Sequence, residues 1–351
     1  MDVARAEFGG IRTYVDNLLG AWDTHHPEDQ LLVVVAIDSD LALSGHSRHD
    51  LVVRRPAALH RPVAQSMELP GVVKRFHADA VLSVMPATSL RRLPTPHAVV
   101  VHDLRHELRP DQFTRSQRLM RHLAYGRAYA VADGLISVSR RTESDLLVRH
   151  PGLARKPHVV IPHGADHVGS WPVGAHRGPA VAFAHHANKN PELILEGWSA
   201  GLRRGLDMPD LLIVGTGERR GQLEKAVAAT GLGERVHLAP YLSDEEFRRA
   251  IADASMVIMT SEFEGFGLPV LEGMALGVPV VIGPERAMLE VAGGHAVVLA
   301  DWTPMALADA VDRASRFDAA QLDGARRHAA GFTWERCVQQ TRDFLRRLSA
   351  T

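Results

Sequence analysis

ASMVIMTSEFEGFGLPVLEGMALGVPVVIG occupies residues 254–283, and its reading sets the fold. ASMVIMTS (254–261) is a nearly unbroken apolar run, the pattern of a strand covered on both faces. Gly265 and Gly267 follow in a loop, Pro269 suits a first helical position, and Gly277 stops a short helix before the next strand, VPVVIG. Strand, glycine loop, helix and strand in that order define a parallel β-α-β unit. The loop lies at a strand's carboxyl end and runs into a helix N-terminus, where unpaired N–H groups and the helix dipole favour an anionic or polyhydroxyl ligand.

The same alternation extends in both directions. QLLVVVAI (30–37), AVLSVM (80–85), HAVVVHD (97–103), GLISVS (134–139) and HVVIP (158–162) read as buried strands. Residues 11–22, 111–132 and 140–150 have helical spacing. Residues 163–179 are rich in Gly, Pro and His, lack periodicity and mark a domain boundary. Beyond them AVAFAH, DLLIVG, RVHLAP, SMVIMTS, VPVVIG and HAVVLA alternate with helices. The expectation is α/β: two Rossmann-like, doubly wound parallel-sheet domains facing a cleft, with ligands outside the carboxyl ends of the strands. The expected division is 1–166, 167–332 and a terminal helix, 333–351. Residues 39–70 and 104–118 read as loops of the first domain.

The 351 residues suit two domains. A net charge of -1 gives no whole-molecule attraction to nucleic acid, and none is expected as a partner. Cys337 is the single cysteine, which excludes an internal disulfide and fits a reducing cytoplasm. No apolar run reaches the ~20 residues that span a bilayer. MDVARAEFGG has no signal-peptide core.

Glu264 and Glu272 bracket the glycine loop. Eight helical positions would set their Cα atoms about 12 Å apart, whereas paired glycosidase carboxyl groups stand roughly 5–9.5 Å apart. Acceptance of hydrogen bonds from sugar or ribose hydroxyls is the other role open to them. For Glu272, favourable charge near a helix N-terminus is a further explanation.

EFEGFGLPVLEGMALGVPVV resembles the signature of retaining glycosyltransferases of family 4, which have the GT-B fold: two glutamates separated by seven residues, with GFGLP between them. The likeness continues through DLLIVGTGERRGQLEKAVAATGLGERVHLAP and, earlier, FGGIRTYVDNLL, VVHDL, ADGLISVSRRTESDLL and VIPHGAD. FTWERCVQQTRDFLRRL resembles the family's terminal helix, which crosses back to the first domain. The resemblance implies a retaining, metal-independent transfer of a sugar from a nucleoside-diphosphate sugar to an acceptor hydroxyl, with no cofactor beyond that co-substrate. It implies that Glu272 accepts from the nucleotide ribose. Glu264 would sit by the donor sugar, and the backbone of Gly265, Phe266, Gly267 and Leu268 would meet its hydroxyls or phosphates. Lys189 would stabilise the leaving diphosphate, His102 would lie near the reacting sugar, and Gly9 and Gly10 would let the chain approach the donor phosphates. Gly215 and Gly217, after DLLIVG, form a glycine loop that suits nucleotide contact.

Two features depart from the family pattern. The arginine usual upstream of the lysine is absent, leaving His185, His186 or Arg219 as its replacement. The first strand, which normally precedes the Gly9–Gly10 loop, is either very short or begins upstream of Met1. Asp38 and Asp40 fit turn chemistry better than a metal site. Arg115, Arg118 and Arg121 recur near helical spacing; a solvated face explains them, as does peripheral contact with an anionic membrane at its inner face. Rival functions are a sugar phosphorylase or nucleotide-sugar epimerase on the same fold, and a non-catalytic scaffold.

Overall fold

A computed structural model describes the chain except for residues 4–8, 42, 44, 54–56, 186 and 351. It divides into two compact units, Met1–Gly164 with Thr333–Thr351, and Ala165–Phe332. The sequence reading set the boundary two residues later.

The first unit comprises α1 (Gly10–His25), β1 (Leu32–Ala36), β2 (Ser47–Leu51), α2 (Ala57–Phe76), β3 (Val81–Ser83), β4 (His97–Val101), α3 (Arg105–Leu108), α4 (Arg115–Val131), β5 (Gly134–Ser137), α5 (Arg140–Arg149) and β6 (His158–Val160). β3, β4, β5 and β6 form a parallel sheet in that order, and β1 pairs with β2 in parallel. Residues 1–3 join these two sheets. Asp2 bridges Val34 of β1 on one side and Ser83 of β3 on the other. Val3 N–H donates to Val34 O at 3.0 Å and Asp2 N–H to Leu82 O at 2.7 Å. Three residues therefore fill the central strand position that the sequence pattern left uncertain.

Two expectations for this unit are corrected. Residues 39–70 are not all loop: they contain β2 and the start of α2. The sequence hid both. SRHDL has one buried apolar residue, Leu51, and α2 carries Pro62 and Pro70 in its interior, each removing a helical N–H. Burial overrides that penalty, because Leu69, Val72 and Val73 pack with Val34, Leu51 and Val81. The helix expected over 111–132 starts at Arg115, where Thr114 and Gln117 close a reciprocal capping box.

The terminal helix α13 (Trp334–Ser349) belongs to this unit. Arg342 grips Asp29 with two hydrogen bonds, 2.6 and 2.7 Å, and Glu28 with a third at 2.6 Å. The bond from Arg342 holds the Asp29 carboxyl below its usual range. Phe344 and Leu348 press onto β5 at Gly134, where an added Cβ would lie 2.7 Å from either side chain. Glycine is required there by the closeness of the helix.

The second unit contains β7 (Ala180–Phe183), α6 (Pro191–Arg203), β8 (Leu211–Val214), α7 (Arg220–Thr230), β9 (Val236–Leu238), α8 (Asp244–Asp253), β10 (Val257–Met259), α9 (Leu268–Leu276), β11 (Val280–Ile282), α10 (Arg286–Ala292), β12 (Val297–Val298), α11 (Pro304–Ala314) and α12 (Ala319–Ala329). Its six parallel strands run β12-β11-β10-β7-β8-β9. Ala180, Ala182, Leu211, Ile213 and Ile258 form one buried core with Trp198 and Leu307. The strand order reverses between β7 and β10, and that switch point is where open α/β sheets bind ligands.

Candidate active site

The loops leaving β7 and β10 meet at the switch point. Asn190 has φ 50° and precedes Pro191, the first residue of α6. This left-handed turn follows Asn188 and Lys189, both buried. Asn188 O accepts from Glu262 N–H at 2.9 Å, and Thr260 Oγ1 donates to Lys189 O at 2.9 Å. One backbone bond and one from the Thr260 hydroxyl thereby lace the two loops together.

On that scaffold Lys189 Nζ lies 2.7 Å from Glu264 Oε1. The side chains are 8% and 16% exposed, so the pair is sheltered from solvent screening. Asn188 Nδ2 donates to Phe263 O at 2.7 Å and reaches Glu264 Oε1 at 3.4 Å. Lysine has three donors, so the ion pair aims the ammonium and leaves donors for a further anion. Sequence reading missed Asn188. Its adjacency to Lys189 was the available signal.

Gly267 has φ 98° and caps α9, a backbone angle that other residues resist. The chain turns there into Leu268 and Pro269, and the first N–H groups of the helix have no intrahelical partner. Gly265 and Phe266 lie in the same turn, and the Phe266 ring packs edge-on against Phe332. Glu272 follows one turn into α9 and is 3% exposed. His167 Nε2 donates to its Oε1 at 3.1 Å. Among the described residues no hydrogen bond reaches Oε2. Glu285, also buried, is different: its carboxylate caps α10, accepting from Ala287 N–H at 2.8 Å and Met288 N–H at 3.1 Å. No sequence pattern points to His167, which falls in the aperiodic stretch 163–179 that reads as a boundary.

Gly215 and Gly217 follow β8, beside the end of β7: an added Cβ on Gly215 would lie 2.9 Å from His185 Cβ. Of the three replacements considered for the missing arginine, Arg219 is bonded to Glu192, His185 packs edge-on against Phe183, and His186 lies outside the described residues.

Gly9, Gly10 and His102 belong to the first unit. Gly9 has φ 73° and precedes α1, of which Gly10 is the first residue. His102 ends β4 and donates through Nε2 to Val84 O at 2.9 Å. That bond fixes the tautomer and leaves Nδ1 as an acceptor while the ring is neutral. Burial lowers its pKa, opposed by the Val84 bond. Tyr14 stands edge-on to His102 at 5.2 Å, and His163 stacks on Trp334 at 5.8 Å. Burial lowers the His163 pKa well below the usual value, and His102 adds to the shift.

The fold defines a chain of two Rossmann-like units of the GT-B kind. Residues 180–316 match the family described as Glycosyl transferases group 1. Over 221 residues the chain is 31% identical to the MMP alpha-(1->4)-mannosyltransferase of Mycolicibacterium hassiacum, covering 59% of this chain and 52% of that protein. The chain thus spans about half the length of that relative. Over 361 residues it is 28% identical to the GDP-mannose-dependent alpha-(1-6)-phosphatidylinositol dimannoside mannosyltransferase of Mycobacterium tuberculosis, covering 94% and 90%. The structure of Anabaena HepE in complex with UDP-glucose superposes with a TM-score of 0.73 at 17% identity, covering all of both chains. Residues 180–316 thus carry the likeness to the group 1 glycosyl transferases, and over longer spans the chain is similar to glycosyltransferases of the family 4 type.

Proposed function

We propose that the chain transfers a sugar from a nucleoside-diphosphate sugar to an acceptor hydroxyl, with retention at the anomeric carbon and without a metal ion. The carrying observation is the Lys189–Glu264 pair at the β7/β10 switch point, a buried ammonium on a half-buried carboxylate, with Glu272 on the helix that follows. The similarity to mannosyltransferases, one described as GDP-mannose-dependent, and to a fold solved with UDP-glucose supports an activated-sugar donor.

In this reading Glu272 accepts from the ribose, and the turn of Gly265, Phe266, Gly267 and Leu268 offers backbone N–H groups to the donor. Gly215 and Gly217 of the second unit, and Gly9 and Gly10 of the first, give close backbone approach to the nucleotide and the phosphates. The bond from the sugar's anomeric carbon to the diphosphate oxygen breaks as the acceptor oxygen bonds to that carbon. The acceptor proton passes to the departing phosphate oxygen. Lys189 stabilises the charge that grows on the diphosphate. Glu264 aims the ammonium and lies by the sugar, and His102 on the acceptor side offers Nδ1 to a sugar hydroxyl.

The proposal includes a cytoplasmic setting and peripheral contact with an anionic membrane. α4 supports the contact: it holds Arg115, Arg118, Arg121 and Arg127 and no acidic residue, with Leu119 and Leu123 61% and 62% exposed. No helix among the described residues is long and apolar enough to cross a membrane.

A screen of nucleotide sugars for depletion in the presence of mixed acceptors tests the proposal. The expected result is release of one nucleoside diphosphate, slowed about 10²–10³-fold in Lys189→Ala. Turnover that requires inorganic phosphate and no nucleotide, or no turnover with any donor, contradicts it.

A further inference from the structure

Glu272 presents an unusual balance. A buried carboxylate is costly unless its oxygens are hydrogen-bonded, and here one oxygen is held while the other takes no hydrogen bond among the described residues. The held oxygen faces His167 Nε2 at 3.1 Å, the two side chains being 10% and 4% exposed. His167 sits in the short 3-10 turn Asp166–Ser170. Its ring is braced edge-on by Trp171 at 5.5 Å, and Trp171 in turn meets Phe247 at 6.0 Å. Ser170 Oγ donates to His167 O at 2.9 Å, tying the turn to itself. The imidazole therefore cannot swing away without disturbing an aromatic stack.

Resting on the donor-site reading above, we propose that His167 is a positioning residue for nucleotide recognition. By occupying Oε1 it fixes the carboxylate plane of Glu272 and directs Oε2 to a ribose hydroxyl. The observation behind it is the asymmetry between the two buried glutamates. The bonds that Glu285 accepts on Oε2 come from its own helix, whereas the bond to Glu272 Oε1 comes from a different segment, and Glu272 Oε2 takes no hydrogen bond among the described residues. His167 does not touch the ligand. It acts by orientation, so its effect depends on the hydroxyl that Glu272 would grip.

Calorimetry of the full chain with UDP, GDP and ADP, and with their 2′,3′-dideoxy counterparts, tests this. The wild type binds at least one ribonucleotide, and Glu272→Ala weakens that binding. His167→Ala weakens it about ten-fold, the worth of one charge-assisted hydrogen bond, and leaves the dideoxy form within about two-fold of wild type. The double variant binds no worse than Glu272→Ala alone. His167→Gln, whose amide nitrogen can take the place of Nε2, recovers most of the affinity, and the shorter His167→Asn does not. If His167→Ala fails to fold, the Gln and Asn variants carry the comparison. Equal losses for ribo and dideoxy forms, or equal affinities for the Gln and Asn variants, overturn the role of His167 while the donor site stands. Failure of the wild type to bind any of the three ribonucleotides overturns the donor site, and the role of His167 with it.

Discussion

The second unit keeps charge at its strand ends, and the first keeps rings. At the β7/β10 switch point a buried ammonium, a buried carboxylate and a half-buried one are each held by specific donors or acceptors from another segment. At the end of β4 in the first unit His102, His163, Tyr14 and Trp334 stack together, and burial favours the neutral form of both histidines and of the tyrosine. The contrast follows from the tasks proposed for the two units. A site for a departing diphosphate needs fixed charge in place before the reaction. A site for a neutral hydroxyl needs shape, an apolar floor and a hydrogen-bond acceptor. A polar cluster in the first unit departs from this rule, because it is built around the buried carboxylate of Asp2, which accepts from Gln65, Ser83 and Thr88. His97 is buried with Nε2 2.9 Å from Ser83 Oγ, and desolvation drives its pKa down to about 4.

The sharpest way to break the contrast is to remove charge from the second unit. Lys189→Ala and Glu264→Gln should each lower turnover about 10²–10³-fold, the usual penalty for losing one preorganised electrostatic partner. Each should also lower the unfolding midpoint, because the remaining partner is left sheltered without its counter-charge, while the chain still folds. Steady-state rates with the donor found in the depletion screen check this, and full activity in both variants would end the roles given to them.

Acid should act on the first unit instead. His97 titrates near 4 in the fold against the usual 6.5, so the unfolded chain binds more protons between those values. The stabilisation is complete above about pH 6.5 and is lost as pH falls toward 4. By pH 5 about 2 kcal/mol of it is gone. His97→Asn should flatten that slope in urea titrations at pH 7 and pH 5. An unchanged slope would remove His97 as its source.

Backbone strain gives a smaller effect. Gly267→Ala places a Cβ at φ 98°, where its nearest neighbour, Met288 Cγ, is an ordinary 3.5 Å away. The cost is then the left-handed conformation alone, about 1–2 kcal/mol, read as a lower denaturant midpoint of the second unit. The smallest effect belongs to the exposed face of α4. Arg115→Ser with Arg118→Ser should change stability by no more than about 0.5 kcal/mol. The pair should still reduce sedimentation with phosphatidylglycerol vesicles, and unchanged sedimentation would speak against the membrane contact.

How much of this was legible in the sequence differs between the units for physical reasons. In the second, strands are continuous apolar runs, loops carry glycine and proline at fixed places, the resemblance to the family 4 signature singles out Glu264 and Glu272, and a further likeness singles out Lys189. The fold and most candidate residues could be read. In the first, β2 is polar and α2 contains two prolines, so long-range packing rather than local pattern makes them. The strand at residues 1–3 is too short for any periodicity. His167 and Asn188 were missed because their roles are contacts with residues 105 and 76 positions away in the chain.

The central claim is that the switch point of the second unit holds an activated sugar between Lys189, Glu264 and Glu272. A crystal structure of the full chain with a nucleoside-diphosphate sugar tests it most directly. The account predicts the diphosphate within hydrogen-bond distance of Lys189 Nζ, the ribose on Glu272 Oε2 and the sugar beside Glu264. A donor bound elsewhere, or bound here with its ribose turned away from Glu272, would contradict it.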